Sequence, residues 1–367
     1  MKYYKKILII IGKLTVGGAE RVGRDIGFFA DPNQFQIHYL VFGQEEGAYE
    51  RELTEKGCRI IHMAPPAANH AAFYRELKAL ISREHYDVVH AHTMFNSGWA
   101  MMAAKSCGVP CRIAHSHSIR GPEKRGFLKN TYEKTMRLLI LHYATRYVAC
   151  GQNAGEWLYG VEAFQKKGIL IYNGIALDRF AFNPEIRQRM KAQLGLQNRF
   201  VIGHAGHMAT VKNQKYLLEL MPEIIKKRPN GMLLLLGDGN DRAMLEEKVH
   251  QLGIEDHVLM TGNVSNVADY LNVMDVFAFP SLYEGMPLAM MEAQANGLPC
   301  VISDRIPKDV HLTDLVTALP LENRDSDWVT ALCCAQRSCP ENYLERMQRA
   351  GLDTAGMLER IYALYEG

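Results

Sequence analysis

Short runs of β-branched and apolar residues recur along the chain, each followed by a polar loop and a stretch with helical spacing. Ile7–Ile11, Gln36–Phe42, Arg59–His62, Val88–His90, Arg112–Ala114, Tyr147–Ala149 and Ile169–Ile171 read as strands of the first half. Gly18–Ala30 and Phe73–Glu84 read as helices between them. Runs that are apolar throughout are buried on both faces, as in a parallel sheet covered by helices. The alternation pauses at residues 172–199, a polar stretch with turn residues and a short helix, which reads as a linker. It resumes with strands at Phe200–Ala205, Met232–Leu236, Val258–Thr261, Val276–Phe279 and Pro299–Ser303. The final stretch, Thr354–Tyr365, sets Met357, Ile361 and Leu364 at helical spacing. The expected fold is α/β, two doubly wound domains in tandem. Ligands of such sheets bind beyond the carboxyl ends of the strands, so the site is sought in a cleft lined by those loops.

Composition changes this picture little. A chain of 367 residues exceeds what one core usually covers, which favours two domains. Hydrophobic content of 48% with 22% charged residues is that of a soluble globular protein. Net charge is only +2, but residues 1–170 carry +8 and the remainder −6. Such a first half suits an anionic surface such as a membrane face, although solvated helix faces produce the same count. The eight cysteines, at 58, 107, 111, 150, 300, 333, 334 and 339, form no CxxC pair and read as reduced thiols of a cytosolic protein. The opening "MKYYKKILIIIGKL" has a basic lead, but its apolar run is too short for a signal peptide. No segment approaches the roughly 20 apolar residues of a membrane span.

The segment "SLYEGMPLAMMEAQANGLPC", residues 281–300, carries the clearest chemistry. Pro287 suits the first turn of a helix running to about Ala295, and the free amides of a helix start suit a phosphate. Glu284 lies just outside that helix and Glu292 within it. A carboxylate is a poor neighbour for phosphate but accepts two hydrogen bonds from a vicinal diol. Two carboxylates flanking a diphosphate would hold a sugar at one end and a ribose at the other, which describes a nucleotide-sugar. Capping by Glu284 and solvation of Glu292 would give the same spacing.

Three further loops qualify. Gly17 and Gly18 open a helix after the first strand, where backbone can approach a phosphate. The stretch matches neither GxGxxG nor GxxxxGK[ST], so dinucleotide and ATP binding are unsupported. Lys212, with His207 five residues earlier, follows the first strand of the second half and can neutralise a leaving phosphate. His90 and His92 end one strand, and His115 and His117 the next. These imidazoles could ligate a metal, donate to sugar hydroxyls, or pack in a core. The Asp325–Asp327 "DSD" reads as a solvated acidic loop.

Together these segments resemble the retaining glycosyltransferases of family 4, which have the GT-B fold of two Rossmann-like domains. "EGMPLAMME" at 284–292 matches the family's E-x7-E signature. "GGAER" at 17–21, "YNGI" at 172–175, "KN" at 212–213, "LLGDG" at 235–239, "FPSLYEGMP" at 279–287 and "GLPCVISD" at 297–304 follow in the family's order. The nearest flavour is the enzymes of capsular or exopolysaccharide biosynthesis. The resemblance implies an acceptor-side domain of residues 1–172 plus 350–367 and a nucleotide-sugar-binding domain of 173–349.

It also implies roles. Glu292 would hold the ribose hydroxyls and Glu284 the donor sugar. Gly285, Met286, Pro287 and Leu288 would supply backbone to sugar and diphosphate. Lys212 would bind the diphosphate, with Gly17 and Gly18 closing over it. His117, or His115 with a one-residue slip in alignment, would contact the donor sugar near the reacting carbon, and His92 would lie by the acceptor. Catalysis would rest on Glu284, His117 and Lys212, with no metal and no cofactor beyond the donor, a UDP-sugar by family habit. The acceptor would be a glycan or an undecaprenyl-type lipid-linked sugar, and no nucleic acid is implied.

One position departs from the family, which commonly has arginine where this chain has His207. Histidine is neither bidentate nor always charged, so diphosphate binding is expected to be weaker and to fall as pH rises through its pKa. A His207→Arg variant should bind the donor more tightly; equal binding would remove the idea. Residues 120–143 are basic, then apolar, and suit an anionic membrane or an ordinary amphipathic helix. The protein is therefore expected in the cytoplasm, with peripheral contact at the inner membrane face. A GT-B epimerase or phosphorylase, a metal-dependent hydrolase built on the HxH pairs, and a weakly catalytic nucleotide-sugar-binding protein are the competing readings.

Overall fold

The computed structural model describes residues 4–15, 17–117, 119, 126–322, 325–337 and 343–366. By internal contacts the chain divides into one unit of Met1–Gly174 with Thr354–Gly367 and a second of Ile175–Asp353.

The first unit holds a parallel sheet of β1 (Lys5–Ile11), β2 (Phe35–Phe42), β3 (Arg59–Met63), β4 (Val88–Ala91), β5 (Cys111–Ser116), β6 (Arg146–Ala149) and β7 (Gly168–Leu170). Its spatial order is β3-β2-β1-β4-β5-β6-β7. Alternate residues of β1 feed opposite cores, as the period of a strand requires. Leu8 and Ile10 join Phe73, Leu77 and Met101 on one face. Ile7, Ile9 and Ile11 join Val22 and Ile26 on the other, together with Met357, Ile361 and Tyr365 of the terminal helix, Thr354–Glu366.

The second unit holds β8 (Phe200–Ala205), β9 (Gly231–Leu236), β10 (Val258–Gly262), β11 (Val276–Phe279), β12 (Cys300–Ser303) and β13 (Val316–Leu319), again all parallel. The order is β10-β9-β8-β11-β12-β13. In each sheet the winding reverses once, between β1 and β4 and between β8 and β11. The loops beyond those strand ends are where open α/β sheets take ligands.

Three readings change. Residues 175–199 are a built part of the second unit rather than a linker, with helices Leu177–Phe180 and Pro184–Gln193. Asn183 caps the second of these, accepting from the amides of Glu185 and Ile186. Arg187 and Lys191 then pair with Asp275 at 2.6 and 3.3 Å, just before β11. Strand β13 was not expected, because Thr317 and Ala318 are exposed on the sheet edge and give no apolar run. Asp325–Asp327 opens the helix Asp325–Cys334 instead of lying in a loop; acidic residues suit that end of the helix dipole.

Every cysteine among the described residues is a free thiol, and burial pushes those of Cys58 and Cys300 up, away from reactivity. Cys339 lies outside the described residues. Among the described residues no helix is long and apolar enough to cross a membrane.

Candidate active site

In the second unit, the loops after β8 and β11 are locked together. The Leu282 amide donates to Val211 O at 2.8 Å, and Asn213 donates from its side chain to Pro280 O. Lys212 ends a 3-10 turn, Thr210–Lys212, and Asn213 takes a left-handed conformation (φ 55°) to start the helix Gln214–Lys227. This turn sets the Lys212 ammonium 5.3 Å from the centre of the Phe279 ring and 2.6 Å from Glu284 Oε1. Both side chains are mostly covered, at 21% and 12% exposure, so the pair is screened less than a surface ion pair.

Beyond Glu284, the helix Leu288–Ala295 begins behind Pro287. The amides of Met290 and Met291 turn back to Pro287 O. Among the described residues nothing accepts from the amides of Gly285, Leu288 or Ala289, which leaves three donors at a helix start. Glu292 is buried, at 8% exposure, so it is not the solvated residue its spacing also allowed. Met286 and Pro287 are buried and help to fix the entry of this helix.

The "LLGDG" loop after β9 crosses directly over the His207 loop. The Met208 amide bonds Asp238 O, and the Asp241 amide bonds Met208 O. Gly237 has φ 123°, and a Cβ there would stand 2.2 Å from Gly206 O, so only glycine fits. His207 itself is exposed. Its neighbour His204, whose ring is fully buried, carries Nδ1 2.9 Å from Ala278 O. Burial lowers its pKa to about 4. In the sequence His204 looks like any other position of an apolar strand, and nothing there singles it out.

In the first unit, Gly17 and Gly18 lie where expected, at the start of the helix Gly18–Phe28 after β1. A Cβ on Gly17 would stand 2.3 Å from Glu20 Oε2, so the missing side chain leaves room for that carboxylate. Burial raises the Glu20 pKa.

The four histidines come together beyond β4 and β5. His92 Nδ1 lies 2.7 Å from His117 Nε2, and His90 Nε2 lies 3.1 Å from His115 Nδ1. The other nitrogen of His90 lies 2.8 Å from the Tyr365 hydroxyl. Burial holds all four rings neutral: His90 falls to about 3, His117 to about 4, and His92 and His115 lie well below the ordinary value. Asn173 is buried beside His117 and partly offsets its shift. One nitrogen from each of His90, His92 and His115 fits within 4.8 Å, a spacing from which a transition metal could be held. Both nitrogens of His90, however, already have protein partners. Tyr365 could not have been found from the sequence, because 275 residues separate it from His90.

The basic stretch at 120–143 is described from Gly126 onward; Arg120, Lys124 and Arg125 lie outside the described residues. Its helix, Phe127–Tyr143, exposes Phe127 and Leu128 at 83% each, beside the exposed Lys129 and Lys134. Arg137 is not available to a membrane, since it donates to Trp157 O and Leu158 O.

Comparison with known proteins bears on both sets of residues. Residues 16–179 match the family described as Glycosyltransferase Family 4, and residues 186–328 match Glycosyl transferases group 1. The chain is 32% identical over 369 residues to EpsF of Bacillus subtilis, named as a glycosyltransferase, covering 98% of this chain and 96% of that one. It is 30% identical over 256 residues, 65% of each chain, to the UDP-Gal:alpha-D-GlcNAc-diphosphoundecaprenol alpha-1,3-galactosyltransferase of Escherichia coli. Among solved structures it resembles Anabaena Alr3699/HepE in complex with UDP and glucose. That match has a TM-score of 0.81 at 19% identity, covering 99% of this chain and 100% of that one. These matches do not favour the hydrolase or the binding-only reading.

Proposed function

We propose, from the premise that this chain belongs to the family 4 glycosyltransferases with the GT-B fold, that it transfers a hexose or N-acetylhexosamine from a UDP-sugar with retention at the anomeric carbon. The acceptor is a glycan or an undecaprenyl-type lipid-linked sugar, and the setting is capsule or exopolysaccharide assembly at the inner face of the cytoplasmic membrane. Residues 1–172 with 350–367 serve the acceptor, and 173–349 serve the donor.

One observation carries the reading. Lys212 is held at 2.6 Å from Glu284, within the loops that also present the amides of Gly285, Leu288 and Ala289, which have no acceptor among the described residues. A cation and a helix start offer a diphosphate what a metal ion would otherwise supply, so the reaction is read as metal-independent. On donor binding Lys212 moves its charge to the diphosphate, and Glu284 is released to the sugar hydroxyls. The bond from the anomeric carbon to the diphosphate oxygen breaks, and the acceptor oxygen bonds on the same face. The acceptor proton passes to the leaving phosphate. His117, with His115 as the alternative, contacts the donor sugar, His92 lies by the acceptor, and Gly17 and Gly18 close over the diphosphate. His207 stays the weak point of diphosphate binding.

Glu292 supports the nucleotide end, since a buried carboxylate accepting from a ribose diol is charge-assisted at both bonds. Glu292→Gln should weaken UDP binding by roughly 10–100-fold. Calorimetric titration with UDP checks this, and an unchanged affinity would remove Glu292 from the ribose.

The lipid-linked acceptor is supported by the diphosphoundecaprenol in the name of the Escherichia coli relative. Membrane contact is supported by Phe127 and Leu128 standing exposed beside lysines. Flotation with anionic vesicles should therefore fall for a Phe127→Ser, Leu128→Ser double variant. Flotation that ignores both the variant and the anionic lipid would exclude this contact.

A further inference from the structure

Tyr365 is 1% exposed, its hydroxyl lies in a buried contact, and among the described residues the only hydrogen-bond neighbour of that hydroxyl is His90 Nδ1, at 2.8 Å. A buried hydroxyl proton without an acceptor is costly, so this proton goes to His90 Nδ1. That bond fixes the His90 tautomer: Nδ1 accepts, and the ring's single proton sits on Nε2. His90 Nε2–H then donates to His115 Nδ1 at 3.1 Å. His115, whose Nδ1 is now an acceptor, must carry its own proton on Nε2. His115 Nε2 is buried and has no partner among the described residues. The opposite direction would have His115 donate to His90 and His90 to Tyr365. It would leave the tyrosine proton stranded in the core.

We infer that Tyr365 and His90 are positioning residues that set the tautomer of His115, so that its Nε2–H is presented as a hydrogen-bond donor to an oxygen of the bound substrate. The terminal helix thereby acts on β5 through one imidazole. This rests on the proposed transferase reading for the identity of the ligand, but not for the tautomer.

The chain of bonds is tested on the whole protein with 15N-labelled histidine, near pH 7.5, by two-bond proton–nitrogen correlation. His115 is assigned by the loss of its signals in His115→Gln. The wild-type ring is expected as the Nε2–H form; an Nδ1–H form overturns the inference without any variant. Tyr365→Phe removes one oxygen from a packed ring. It is expected to mix the two tautomers of His115 and to lower kcat/KM by about 10-fold. His90→Gln is expected to keep the Nε2–H form, since its amide can accept from Tyr365 and donate to His115. His90→Leu is expected to lose it. A His115 tautomer that ignores Tyr365→Phe and His90→Leu overturns the inference even where activity falls. Failure of the transferase reading would show as missing turnover with the tautomer pattern intact.

Discussion

Lys212→Ala is expected to lower kcat and kcat/KM together by roughly 10²–10³-fold, with the fold intact. Removing one preorganised group aimed at developing charge has that order of effect. In the proposed mechanism that charge grows on the leaving diphosphate as its bond to the sugar breaks, so the loss in the transition state exceeds the loss in donor binding. Lys212→Arg should recover only part of the rate. The turn Thr210–Lys212, the Phe279 ring and Glu284 are arranged around a compact ammonium, not a planar fork. Steady-state kinetics with a saturating acceptor measure this directly. A variant with unchanged kcat and a raised donor KM would mean that Lys212 only binds.

Acid is expected to unfold the first unit well before the second. His90 titrates at about 3 and His117 at about 4 in the folded protein, because burial disfavours their charged forms. In the unfolded chain both return to about 6.5. Below that value the unfolded state binds more protons, so stability is complete above it and is lost as pH falls toward the folded values. At pH 5 the two rings together cost about 4 kcal/mol, or about 2 each. His92 and His115 shift in the same direction for the same reason, and burial also lowers His38 to about 4. In the second unit His204 and His311 are lowered too, but they do not form a cluster of touching rings. Melting curves between pH 7.5 and 5 should fall steeply for the first unit, followed through Trp99 and Trp157, and less for the second, followed through Trp328. A flat profile for the first unit would mean that water or counter-charge reaches the cluster.

Most of the sheet could be read from the sequence because its strands are buried on both faces. Runs such as Ile7–Ile11 and Met232–Leu236 have no polar position to confuse them. The strand that was missed, β13, lies at an edge and shows solvent two of its four residues. Residues 175–199 look like a linker because their anchors are charged: Arg187 and Lys191 reach Asp275 far along the chain, and composition carries no trace of that. The proposed donor loop stands out in the sequence for a local reason. Glu284, the helix start at Leu288 and Glu292 sit within nine residues, so their spacing survives in one dimension. The Lys212–Glu284 contact spans 72 residues, and only the family motif suggested both ends of it. The histidine pairs were visible as HxH, yet whether they ligate, donate or pack depends on how they meet across β4 and β5. Tyr365 settles the orientation of one pair, and nothing near it in the sequence announces that.

The proposed transfer begins with metal-free capture of a nucleotide-sugar by the Lys212 and Glu292 loops. The most direct test is a thermal-shift titration of the wild-type protein with UDP-, GDP- and ADP-sugars, each with and without EDTA. A donor at 100 times its Kd should stabilise the protein by about 2.7 kcal/mol, a rise of a few degrees. That rise is expected with a UDP-sugar, undiminished by EDTA. No rise with any nucleotide-sugar, or a rise abolished by EDTA, would contradict metal-free capture.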